Sequence, residues 1–306
     1  MKIGLTLGSG AAKGWAHIGI IRALEEMGVQ IDLVAGCSIG AYVGAAYCSG
    51  KLDALETWAN ALTDWQSFSM IGFGINKGSL ASGQKIFTSF AEEFSVAEFS
   101  QLSKPLGVVA TDIHGGKEVR FVEGSVETAI RASCAIPALF PPVFHENRWL
   151  VDGAVVNPVP INLCHQMGAD FVIAVNLGAH IRTPYHTQIS IQQAAQQGSE
   201  KEDANLPQRI QRWLNVSGEH SEKQDKPASP SLLHNMSNAM DILQNRVTRA
   251  SLSAEPPELL IEPHLNNYGI MDFAKAPELI QQGYDTVQRI KEQIIYALKL
   301  EEKPIS

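Results

Sequence analysis

Four cysteines in 306 residues, with no C-x-x-C pair, exclude a disulfide-stapled scaffold and a zinc-ribbon spacing. Cys37, Cys48, Cys134 and Cys164 also lack histidines at metal-ligand spacing, so they read as small buried hydrophobes in a reducing compartment, with no metal site. Long apolar runs are missing too. No stretch reaches the roughly 18 consecutive apolar residues of a membrane-spanning helix, and the start has neither the apolar run nor the cleavage site of a signal peptide. These absences predict a cytoplasmic protein. A formal net charge of −8 without any basic block argues against nucleic acid as a partner and offers no polybasic patch for anionic lipid. Peripheral membrane contact would have to be apolar or transient, and no segment specifies a protein partner. With 45% apolar residues, the length suits a single α/β domain over 1–306.

What is present begins with Ser38, at the centre of Gly36-Cys37-Ser38-Ile39-Gly40. The apolar run Ile31–Ala35 precedes it and the small-residue segment Ala41–Ala46 follows, which predicts a strand, a sharp turn and a helix. A serine on such a turn stands at a helix N-terminus, whose N–H groups favour developing negative charge, and Gly36 and Gly40 let the chain bend. The pattern reads as a nucleophile elbow.

The chain also opens with a strand pattern, Lys2–Leu7, followed by Gly8-Ser9-Gly10-Ala11-Ala12-Lys13-Gly14 and a helix from near Trp15 that places Ile18, Ile21, Leu24 and Met27 on one face and stops at Gly28. Two adjacent strand–turn–helix units belong to one parallel sheet, with both turns at its carboxyl edge. A dinucleotide fingerprint would need glycine where Lys13 stands, and an acid at the end of the second strand, whereas Asp32 is near its start. A P-loop would need Gly-Lys followed by Ser or Thr, but Lys13 precedes Gly14. A packing turn and an oxyanion hole beside Ser38 remain open, and the second accounts for both turns together.

A serine needs a base. The histidines after Ser38 (His114, His145, His165, His180, His186, His220, His234 and His264) have no strand-end or turn context of the kind a triad requires. Asp152 has one: it follows Trp149-Leu150-Val151 and precedes the small pair Gly153-Ala154.

The ordered set Gly8–Gly14, Gly36–Gly40, Arg131–Pro137, Phe140–Val143 and Asp152-Gly153-Ala154 resembles the patatin-like phospholipases, and within them the bacterial RssA-type branch related to neuropathy target esterase. The likeness covers about residues 1–178, with Pro257–Gly283 similar to the tail of that branch. It implies a patatin-like three-layer fold with a mainly parallel sheet, and a Ser–Asp dyad without histidine or cofactor. Ser38 would attack an ester carbonyl of a lipid or other acyl-ester substrate, and Asp152 would act as base. Gly8, Ser9, Gly10, Ala11, Gly14 and Ile39 would frame the oxyanion hole. Ser9 and Ala11 stand where the family usually carries glycine. Ala11 supplies the same N–H provided its φ is negative.

Beyond the core, Pro105–Asp112 and Lys117–Glu123 read as strands joined at His114-Gly115-Gly116, and Phe171–Leu177 as a buried parallel strand. Residues 178–231 turn polar and read as a mobile insertion carrying a short amphipathic helix near Leu206–Leu214, either a lid or a surface loop. Residues 232–300 complete the domain as helix, strand Leu259–Ile261 and one long helix over Pro277–Leu300. The apolar stretch Trp65–Phe73 is expected to pack on the core or to line an acyl site. A different reading keeps the fold but not the chemistry: a regulatory protein that binds a partner through the 178–231 segment.

Overall fold

The computed structural model describes residues 1–66, 73–76, 79–81, 84–179 and 232–300. The chain divides into two units, Met1–His180 with Gln244–Ser306, and Ile181–Leu243. Of the second, only the start of a helix from Leu232 is described. The polar segment 178–231 therefore lies almost wholly outside the described residues, as does the helix expected near 206–214.

In the first unit the strands are β1 (Ile3–Leu7), β2 (Leu33–Cys37), a separate hairpin of β3 (Phe73–Asn76) and β4 (Ser79–Ala81), β5 (Leu106–Asp112), β6 (Lys117–Phe121), β7 (Val143–His145), β8 (Arg148–Asp152), β9 (Phe171–Val175) and β10 (Leu259–Ile261). The main sheet runs β10-β9-β1-β2-β5-β8-β7, with β6 also on β5. The pairs among β10, β9, β1, β2 and β5 are parallel, so the carboxyl ends of β1 and β2 share one edge, as the paired glycine turns predict. The hairpin of β5 and β6 and the returning strands β7 and β8 are antiparallel.

The helices are α1 (Ala16–Glu26), α2 (Ile39–Cys48), α3 (Leu52–Asn60), α4 (Gln84–Ser89), α5 (Val126–Ser133), α6 (Ile161–Gln166), α7 (Leu232–Ala254), α8 (Ala276–Arg289) and α9 (Lys291–Leu298). Strand alternation sorts the sheet's side chains into two cores. Leu5, Leu7, Val34, Val108, Ile173 and Val175 pack with α1, α2, α5 and α8, whereas Leu33, Ala35, Val109, Val172 and Ala174 pack with α6. That gives three layers, helix on sheet on helix. The C-terminal helices belong to the first core. α1 and α8 cross backbone to backbone at Gly19 and Gly283, where a Cβ would lie 1.8 Å from the Ile280 carbonyl oxygen and 2.0 Å from that of Ala16.

Two expectations need correction. The single helix over 277–300 is two, because Ile290 leaves helical geometry and its N–H closes on Val287 O, one residue short of an α-helical bond. Trp65 is 76% exposed, so core packing does not account for it, and residues 67–72 of that stretch lie outside the described residues. The four cysteines are buried free thiols. No helix among the described residues is long and apolar enough to cross a membrane.

Candidate active site

The register of β5 explains how the two site residues meet. Val108 and Val109 pair with Gly36 and Cys37 of β2, while Ala110, Thr111 and Asp112 pair with Asp152, Val151 and Leu150 of β8. Because β6 pairs with Val108–Asp112 throughout, β2 and β8 occupy the same opposite side of β5, end to end. β2 stops at Cys37 where the chain turns into α2, and β8 arrives from the other direction and stops at Asp152. The residue after the end of β2 is Ser38. Its Oγ donates a 2.6 Å hydrogen bond to Asp152 Oδ2, and both residues are buried.

Ser38 sits at φ 55° and ψ −125°, outside the regions favoured by L-residues, directly before α2. Gly40, in the first turn of α2, is required by close approach: a Cβ there would lie 2.1 Å from Leu7 O and 2.7 Å from Gly8 O. The two glycine turns therefore touch. Asp152 Oδ1 accepts from the N–H of Ala154, and Gly153 lies against Val109 O, which keeps this turn tight. Burial pushes the Asp152 carboxyl up to about 7, opposed by the hydrogen bonds from Ser38 and Ala154.

The first turn is a short 3-10 helix, Ala11–Trp15, entered through Gly10. Gly8 N–H is given to Val175 O and Ser9 N–H to Pro158 O, so these two backbone N–H groups anchor the turn and are not oxyanion donors. Gly14 provides space for the Ile39 side chain, since a Cβ there would lie 2.2 Å from it. Ala11 has φ 49°, contrary to the negative value expected; an alanine occupies a conformation that suits glycine better. Gly10, at φ 166°, is extended, and its need for glycine comes from the Leu177 side chain, 2.8 Å from a would-be Cβ.

Three residues with no assigned role in the sequence reading converge here. His17, fully buried, points Nε2 at Gly8 O at 2.8 Å; burial lowers it to about 4, so it is neutral and donates. Ser133 Oγ accepts from Ser38 N–H at 2.8 Å and donates to Val109 O at 2.6 Å, and Thr111 Oγ1 donates to Asp152 O at 2.8 Å. Single polar residues inside apolar runs carry no spacing signal. Four of the histidines considered as bases lie elsewhere: His145 packs on Phe121, His165 faces Ala169 O, His114 is exposed in the β5–β6 turn and His264 is exposed after β10. Asp32, set aside as a ribose ligand, caps the N–H of Ile3. Among the described residues no group of three or more His, Cys, Asp or Glu is placed to hold a metal.

A family model described as patatin-like phospholipase matches residues 5–165. An uncharacterized NTE family protein of Mycobacterium bovis is 30% identical over 92% of this chain and 89% of its own length. Lysophospholipase NTE1 of Pyricularia oryzae is 26% identical over 92% of this chain and 18% of that larger protein. Neuropathy target esterase sws of Drosophila melanogaster is 31% identical over 58% of this chain and 13% of that protein.

Proposed function

The chain belongs to the patatin-like phospholipase family, and on that premise we propose that it is a serine acyl-hydrolase cleaving carboxylic esters of lipids through Ser38 and Asp152. The observation that carries this reading is the direct 2.6 Å bond from Ser38 Oγ to a buried carboxylate at the carboxyl edge of a parallel sheet.

Asp152 takes the Ser38 proton as Oγ attacks the ester carbonyl. Its environment suits the task, because burial raises a carboxyl that would otherwise be too weak a base near neutral pH. The tetrahedral oxyanion is held by the N–H of Gly10 together with that of Ile39, the first residue of α2 and so without an intrahelical acceptor; Ala11, at φ 49°, does not meet the condition for supplying its own. The proton on Asp152 then passes to the leaving alcohol as the C–O bond breaks. Water, deprotonated by Asp152, releases the acid from the acyl-enzyme and restores Ser38. The substrate class, a lysophospholipid or related acyl ester, follows the lysophospholipases among the relatives. Contact with a lipid surface would be transient.

The test is Asp152→Asn, assayed on a lysophospholipid and on a short soluble ester. The amide keeps the shape but takes no proton, so the rate is expected to fall by about 10²–10⁴-fold with the fold intact. A variant with wild-type turnover would remove Asp152 from the mechanism.

A further inference from the structure

The positions of Ser38 and Asp152 depend on two chain ends that share no ladder among the described strands: β2 and β8 each pair with β5. A joint of this kind is free to open unless something fastens each end. Two buried hydroxyls sit at it, Ser133 at the end of α5 and Thr111 on β5, with exposures of 0% and 1%. Ser133 Oγ bridges Ser38 N–H and Val109 O, the β5 residue opposite Cys37. Thr111, opposite Val151, reaches one residue along β8 to the carbonyl of Asp152. A hydroxyl in an apolar core is unfavourable unless it is bonded, and each of the two spends a bond on a backbone atom of the dyad, Ser133 tying it also to β5 through Val109 O.

We propose that Ser133 and Thr111 are positioning residues for the hydrolysis, Ser133 fastening the backbone of the nucleophile and Thr111 that of the base, so that Ser38 Oγ and Asp152 Oδ2 stay in contact. The proposal rests on the Ser38–Asp152 reading. It has a consequence that core packing alone does not share. The Ser38 hydroxyl favours the carboxylate form of Asp152, so loosening that contact raises the carboxyl further and moves the acid limb of the rate profile to higher pH. The other titratable groups at the joint are the Cys37 and Cys134 thiols, both pushed up by burial and hence neutral, and Glu118 of β6, which is paired with Arg120.

The experiment compares wild type with Ser133→Ala, Thr111→Val and Thr111→Ser. It measures melting temperature, kcat and KM on a short soluble ester, the pH dependence of kcat/KM, and the site of labelling by a fluorophosphonate. Ser133→Ala and Thr111→Val are expected to lower kcat by about 10- to 100-fold with KM nearly unchanged, as small misplacements of reacting groups do. Their acid limbs move to higher pH, and Thr111→Ser, which keeps the hydroxyl, retains wild-type kcat. If Ser133→Ala fails to fold, the Thr111 pair decides. Folded variants with wild-type kcat and an unmoved limb, differing only in melting temperature, overturn the proposal while leaving the dyad in place. Labelling of the wild type at another serine overturns the dyad reading instead.

Discussion

Ser38 is held at φ 55° and ψ −125°, a conformation that costs a non-glycine residue about 1–3 kcal/mol and persists only where the surroundings fix it. Alanine at 38 carries the same backbone cost and lacks only the hydroxyl, so Ser38→Ala is expected to fold normally and to show no ester hydrolysis above background. The raised carboxyl of Asp152 gives two further outcomes with opposite signs. As the proposed base it must be ionised, so kcat/KM should rise with pH and reach half its plateau near pH 7. As a buried acid it binds its proton more tightly folded than unfolded, so its contribution to stability is full below its ordinary value of 3.8 and is lost as pH rises through about 7. Asp152→Asn removes that loss. Its melting temperature relative to wild type should therefore climb between pH 5 and pH 8, by differential scanning calorimetry, and a flat difference would mean that the buried carboxylate is not the destabilising group. The strand-end context and the small pair Gly153-Ala154 marked Asp152 in sequence; its raised pKa was not legible, because burial comes from segments distant in the chain, among them α5, which packs on β8.

At the level of elements, the turns were readable because glycine patterns report backbone demands, but the reason for each glycine was not. Gly40 admits Leu7 and Gly8 carbonyls, a contact between two turns 32 residues apart in sequence, and Gly40→Ala is expected to disrupt the elbow itself, seen as lost activity and a lowered melting temperature. Gly10→Val should abolish activity through collision with Leu177 and the space beside the turn, not through φ. A stable and fully active Gly10→Val protein would show that the turn only packs. The break at Ile290 within an apolar helical period was hidden for the opposite reason: Ile280, Tyr284, Val287, Ile290 and Ile294 keep their spacing across it, so periodicity alone runs two helices together. Ser133 and Thr111 were invisible to any pattern, since their partners come from other strands.

Over the whole molecule, a parallel half-sheet ends in two touching glycine turns, and an antiparallel strand returns along β5 to meet the first of its neighbours head-on. The parallel half was legible as consecutive strand–turn–helix units; the antiparallel return was not, because the order of β7 and β8 on the sheet depends on where β5 outruns β2. The same architecture brings a serine, an acid and two glycine turns to one edge, and we propose that they act together as one hydrolytic site. The most direct test is incubation of the intact protein with a fluorophosphonate, followed by digestion and mass spectrometry of the adduct. A single phosphonylated residue, Ser38, is expected, with labelling slowed in Asp152→Asn in proportion to its lost turnover; an adduct on a different residue, or labelling of Ser38 unaffected by Asp152→Asn, would contradict a shared Ser38–Asp152 site.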